Sequence, residues 1–173
     1  MTGRFQPVHE QHLDLFRIAL AGHDHLVVAV TNPDTGARHE EVSSGHRHTS
    51  AANPFTYFER VRLLTAALGG AGLADRATVV PFDLTRPHLW PEYVPVEARQ
   101  FVRAYSAWET DKAARLAAGG YAVTVLDGDP AGKLDATGIR ALLGTGDWTG
   151  AVPPATVAVL RDLLAAVPME DRT

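Results

Sequence analysis

Short Val-rich runs alternate along this chain with stretches of helical periodicity, and that alternation limits the fold more than any other feature. His25 to Thr31 (HLVVAVT), Ala77 to Pro81 (ATVVP) and Tyr121 to Leu126 (YAVTVL) are apolar and bounded by turn residues. They read as strands buried on both faces. Arg99 to Tyr105 is a fourth, weaker candidate. Helical patterns lie between them, at His9 to Ala21, Pro54 to Leu68, Thr110 to Ala118, Asp135 to Leu143 and Pro154 to Ala166. Strands separated by helices cannot pair as hairpins, so they are expected to form an α/β, doubly wound parallel sheet. A chain of 173 residues with 46% hydrophobic residues fills one such domain, residues 1–173. Sheets of this kind take ligands at the carboxyl ends of their strands. Pro33 to Ala52, polar and rich in Ser and His, is the one long loop, and loops of that length usually carry function.

Composition removes several classes of partner. There is no cysteine, which excludes disulfides and thiol catalysis. No apolar run approaches the roughly 20 residues of a membrane span. The start lacks the charged and apolar pattern of a signal peptide, so a cytoplasmic protein is expected. The net charge of −4, without a basic block, argues against nucleic acid and for a small-molecule partner. A homo-oligomer stays open.

GRFQPVHEQH, Gly3 to His12, is the most unusual stretch. If residues up to Arg4 end a first strand, Gly3 to Pro7 form the turn, and His9 and His12 share one face at a helix start. Free backbone N–H groups and the helix dipole favour phosphate there, and two imidazoles add directed hydrogen bonds. Thr137 and Arg140 repeat the arrangement in a later helix, a hydroxyl and a guanidinium three residues apart near its start. Asn53-Pro54 reads as a helix N-cap followed by proline at the first helical position, with a ligand role for Asn53 left open. Phe55 and Phe58, at helical spacing, read as core. Glu59 and Arg60 are adjacent and so are not an intrahelical pair.

GRFQPVHEQH resembles the opening signature of the HIGH-type nucleotidylyltransferase superfamily, in the branch of archaeal-type nicotinamide mononucleotide adenylyltransferases and related adenylyl and cytidylyl transferases. NPFTYFER, Asn53 to Arg60, and LDATGIRALLGTGDWTGAVPP, Leu134 to Pro154, resemble two further motifs of that branch in the expected order. The resemblance implies a Rossmann-like fold and transfer of NMP from an NTP to a phosphomonoester such as nicotinamide mononucleotide, with release of pyrophosphate. ATP is the favoured donor. A CTP-dependent enzyme acting on a phosphonate or other small phosphorylated metabolite is the alternative, and a nucleotide-binding sensor without turnover is another. By resemblance, His9, His12, Thr137 and Arg140 contact the triphosphate, with His9, His12 and Arg140 catalytic. Gly3, Arg4, Phe5 and Gln6 hold the nucleotide, and Asn53, Phe55, Glu59 and Arg60 serve the substrate. No carboxylate cluster has metal-ligand spacing, so Mg²⁺ would arrive with the NTP.

Two departures stand out. Gln11 replaces the glycine that in relatives lets a base approach the helix, and only Met1 and Thr2 precede GRFQP. The first strand is therefore expected to be truncated, unless the true start lies upstream. Trp90 and Trp108 could stack on an acceptor ring or pack in the core. His46, Arg47 and His48 could line the acceptor side, and Arg4 and Lys133 add charge. Asp127-Gly-Asp-Pro, after a strand end, suits a ligand site or a plain turn.

Overall fold

A computed structural model describes residues 1–40, 45, 47–134 and 136–172. Strand β1 (Thr2–Gly3) lies beside β2 (Leu26–Thr31), which pairs with β3 (Ala77–Phe82). A second ladder joins β4 (Gln100–Ala104) to β5 (Val123–Asp127). Every pairing is parallel, in the registers Thr2 to Ala29, Leu26 to Ala77 and Gln100 to Val123. The helices are α1 (Glu10–Leu20), α2 (Tyr57–Gly70), α3 (Ala107–Ala118), α4 (Ala136–Leu143) and α5 (Val157–Ala166). Strand and helix thus alternate as the periodicity predicts, and β1 is short as expected.

Side-chain alternation along β2 shows why this run is apolar throughout. Leu26, Val28 and Val30 enter one core with Phe16 of α1, Leu63 and Leu64 of α2 and Leu160 of α5. Ala29 enters a second core with Phe82, Trp90, Val102 and Leu116 of α3. Successive residues of a strand point to opposite faces, so two cores require two apolar faces. Full burial of Val28 and Val30 stabilises the fold by about 2 kcal/mol each.

The structure corrects several local expectations. Helix α2 starts at Tyr57, and its N-cap is Thr56. The Glu59 amide donates to Thr56 Oγ1 at 3.3 Å, and the Thr56 amide donates to Glu59 Oε2 at 2.8 Å. This is a reciprocal capping box, legible in the T-x-x-E spacing. Asn53 does not cap α2: its amide nitrogen donates to the carbonyls of Arg47 and Thr49 at 2.7 and 2.8 Å, bracing the loop before the helix. Phe55 is buried as expected, but Phe58 is 70% exposed because the later start turns its face to solvent. Tyr121 lies outside β5, its hydroxyl donating to the Val94 carbonyl at 2.9 Å.

Arg60 is among the most deeply buried side chains, and its guanidinium is a staple. It donates to the carbonyls of Arg4 and Thr31 at 3.0 and 2.8 Å, of Asn32 at 2.8 Å and of Thr56 at 3.3 Å. It therefore ties the ends of β1 and β2 to α2. Arg60→Leu would strand these carbonyls away from water, a loss expected at about 3 kcal/mol or more, read as a lowered urea midpoint.

Glu59 also bonds Arg172 Nη1 at 2.9 Å, which fastens the last turn of the chain to α2. Partial burial pushes its carboxyl up, but the Thr56 amide and Arg172 outweigh that and leave it below the ordinary value of 4.5. A depressed carboxyl contributes stability above its unfolded value and loses it as pH falls through the folded one. Between pH 7 and 3, Glu59→Gln should therefore lose less stability than the parent in denaturation titrations.

Candidate active site

The crevice between β1 and β4 opens into a cavity of about 580 Å³. Parallel sheets bind ligands at such a reversal of strand order, and the volume suits a small ligand. Gly3 to Gln6 form its floor, His9 and His12 stand at the start of α1, and Ala136 and Thr137 stand at the start of α4. Two helix N-termini thus open on one space, each presenting the positive end of its dipole. Arg103, Tyr105, Trp108, Glu109 and Lys112 line the wall from β4 to α3, and Pro130, Lys133 and Leu134 close the side after β5.

The turn from β1 to α1 is held from three directions. Phe5 adopts a left-handed backbone with φ of 52° and folds its ring back over Gly3, where a Cβ would sit 2.7 Å from Cζ. Only glycine fits there without displacing the ring. Gln6 exchanges two hydrogen bonds with the Phe55 backbone, donating at 2.9 Å and accepting at 3.0 Å. Arg140 Nη1 donates to the Gln6 carbonyl at 3.0 Å, and its Nη2 donates to Thr137 Oγ1 at 3.0 Å. Arg4 Nη1 reaches the carbonyls of Arg47 and Ala52 at 3.3 and 3.2 Å. The three motifs therefore meet around one turn.

His9 and His12 lie ring on ring, centroids 3.7 Å apart, with the Phe5 ring edge-on to His12 at 4.8 Å. The His9 amide donates to His12 Nδ1 at 3.2 Å, which makes Nδ1 the acceptor and leaves the proton of the neutral ring on Nε2. Burial holds His12 well below its ordinary value of 6.5, and the charges of His9 and Lys112 lower it further. In the ligand-free protein His12 should therefore show no ring titration between pH 6 and 8 by nitrogen NMR. Its shifts should report the Nε2–H tautomer.

The structure brings together Gly3, Arg4, Phe5, Gln6, His9, His12, Thr137 and Trp108 at the cavity. Arg140 stands behind this lining and bonds Thr137, so it positions a lining residue instead of lining the cavity itself. Asn53, Phe55, Glu59 and Arg60 build the frame described above and do not line the cavity. Trp90 is 2% exposed in the second core, stacked on Phe82 at 5.3 Å, with its indole N–H donating to the Asp83 carbonyl at 2.7 Å. It is closed to an acceptor. Trp108 lines the cavity, with the Arg47 guanidinium 3.5 Å from its ring centre. His46 lies outside the described residues.

Several lining residues were missed from the sequence, Tyr105, Glu109 and Lys112 among them. Lys112 and Glu109 sit among alanines and charges on α3, a pattern that reads as a solvated face, and Tyr105 sits just past a strand end. Gln11 spans the cavity edge: it donates to the Gly132 carbonyl at 2.6 Å and accepts from the Leu134 amide at 2.9 Å and the Tyr105 hydroxyl at 3.2 Å.

Comparison with known proteins identifies the family and the fold. The model of the Cytidylyltransferase-like family matches residues 1–141. The chain belongs to that family. It is 35% identical to the phosphonoformate cytidylyltransferase of Streptomyces viridochromogenes, over 92% of this chain and 88% of the relative. It is 32% identical to the nicotinamide-nucleotide adenylyltransferase of Ignicoccus hospitalis, over 93% and 89% of the two chains. A crystal structure of a bifunctional NMN adenylyltransferase/ADP ribose pyrophosphatase from Francisella tularensis, complexed with AMP and a manganese ion, superposes with a TM-score of 0.69 at 16% identity. The match covers 99% of this chain and 50% of that one, so this chain spans about half of the bifunctional protein. The shared fold is the Rossmann-like sheet. This family member has no helix, among the described residues, long and apolar enough to cross a membrane.

Proposed function

We propose that this protein transfers a cytidylyl group from CTP to an oxygen of a small phosphate or phosphonate acceptor and releases pyrophosphate. The observation that carries the transfer is the convergence of His9, His12, Thr137 and two helix N-termini on one cavity. The acceptor oxygen attacks the α-phosphorus, a P–O bond forms, and the bond to the β-phosphate oxygen breaks. No covalent enzyme intermediate is needed, so the protein's task is to hold two anions in line and spread the developing charge. His12 donates its Nε2 proton as a hydrogen bond to the triphosphate, with His9, Thr137 and the free amides of α4 beside it. Arg140 keeps Thr137 and the Gln6 turn in place.

Among the described residues no group of three or more His, Asp or Glu side chains converges as a metal cage. This donor set fits a Mg²⁺ ion carried on the triphosphate, where it would neutralise phosphate charge.

Two features favour CTP over the ATP expected from the motifs alone. Gln11 fills the edge where glycine would leave room, and its three bonds close that edge against the segment from Gly132 to Leu134. A pyrimidine needs less space than a purine. In addition, Trp90 is closed in the core, and the Arg47 guanidinium occupies one face of Trp108. That favours a compact acceptor, and the 35% identical relative is a cytidylyltransferase.

The test is pyrophosphate release with Mg²⁺, comparing CTP, ATP, GTP and UTP against nicotinamide mononucleotide and a panel of small phosphonates and phosphomonoesters. CTP-dependent release with a compact acceptor is expected. ATP-dependent release with nicotinamide mononucleotide would replace this reading, and nucleotide binding without release would point to the sensor. Gln11→Gly should narrow the preference for CTP over ATP by about tenfold, a shift of about 1.4 kcal/mol.

A further inference from the structure

Lys112 is a buried ammonium that the transfer chemistry above does not use. Its side chain comes from α3, is 8% exposed and lines the cavity. Of the three N–H donors on Nζ, one meets the Thr2 carbonyl at 3.3 Å. Among the described residues Lys112 forms no ion pair, whereas Lys133, the other lysine of the lining, is held by Glu109 at 3.0 Å. Thr2 lines the cavity as well, and its hydroxyl is buried without a hydrogen-bond partner. Two groups with unused donors thus adjoin one another at β1. Buried polar groups are normally satisfied, and ligand oxygens entering the cavity would satisfy these.

Their place in the cavity decides which oxygens those are. In-line displacement sets the attacking oxygen and the leaving group on opposite sides of the α-phosphorus. The starts of α1 and α4 meet the triphosphate on the proposed reading. Arg4, Thr31, Arg47 and Trp108 line the cavity and also border a smaller recess that no residue of α1 or α4 lines, which gives the acceptor its side. Lys112 stands between the two. Its charge acts on His12, and its Nζ lies 5.2 Å from the Trp108 ring centre.

Resting on the nucleotidylyl-transfer reading, and on no choice of base, we infer that Lys112 is a catalytic residue whose Nζ donates to a non-bridging oxygen of the α-phosphate, with the Thr2 hydroxyl beside it. The acceptor oxygen forms its bond to the α-phosphorus. The bond from that phosphorus to the oxygen it shares with the β-phosphate breaks, and the electron pair leaves on pyrophosphate. Lys112 keeps its proton throughout. A fixed donor aimed at the group being transferred accelerates the step where charge gathers on those oxygens in the transition state, and a dry site strengthens it. Burial, then the charge of Arg47, lowers the ammonium to about 8, so it remains charged at pH 7, where His12 is neutral.

The test follows pyrophosphate release with Mg²⁺ from CTP and from ATP, each with the acceptor that gives most release, and then from the two α-thio diastereomers of each nucleotide. In the parent, one diastereomer should react about tenfold more slowly than the other, because sulfur is the weaker acceptor for an ammonium. Lys112→Met should lower kcat for the natural nucleotide about 100-fold, while nucleotide affinity by calorimetry stays within about threefold. For the slower diastereomer the loss should be only about tenfold, since sulfur has already weakened that contact. A purely structural loss would slow both diastereomers alike. Lys112→Arg, which keeps the charge, should recover most of the lost kcat. Unchanged kcat in Lys112→Met, an equal loss with both diastereomers, a loss confined to nucleotide affinity, or equal diastereomer rates in the parent would overturn the inference. If Lys112→Met does not fold, Lys112→Arg decides: a diastereomer ratio identical to the parent's would overturn the inference, and an altered one would support it. Failure of the transfer reading is separate, since it shows as no pyrophosphate release by the parent with any nucleotide, and the inference then falls with it.

Discussion

One buried guanidinium organises the part of the molecule that matters. Arg60 supplies hydrogen bonds to the carbonyl of Arg4, just past β1, and to those of Thr31 and Asn32, at and just past the end of β2. Buried carbonyls must be satisfied, and an arginine can serve several at once because its donors are fixed in a plane. The turn that follows β1 can then leave the sheet at a sharp angle and deliver His9 and His12 to the cavity. With β1 only a short strand, side-chain bonds supply what a longer ladder would otherwise give.

This changes what the motif residues mean. Asn53, Phe55, Glu59 and Arg60 lie in a segment whose resemblance to a nucleotide-handling family suggests ligands, yet each is occupied with the chain itself. Phe55 lends its backbone to Gln6, Glu59 caps α2 and receives Arg172, and Asn53 braces the loop. A motif can persist because it builds the neighbour of a site, and its letters alone do not separate the two roles. Arg140 is an intermediate case, since it holds both the Gln6 turn and Thr137.

The fold was legible because period and composition are local properties. The β2 run is apolar at every position, which is what two cores demand, and its ends are marked by turn residues. Helix α2 was placed too early because Asn-Pro is a strong local cue, while the T-x-x-E box a few residues on was the better one. The exposed Phe58 follows from that same shift. Lys112 and Trp90 were beyond reach for a different reason. Their roles depend on which wall of which crevice α3 and the turn before β4 come to occupy, and no local pattern encodes that. The cavity floor and the start of α1 could be read from GRFQPVHEQH, and the α3 wall could not.

Gln11 joins three separate pieces of chain: the first turn of α1, the residue after β4 and the segment before α4. The edge of the cavity is therefore a closed arch, keyed by one side chain, and not two independent lips. On the proposed reading, a donor nucleotide would meet an opening whose outline is drawn before binding, and discrimination between large and small bases there would be a matter of passage through a frame already closed by Gln11.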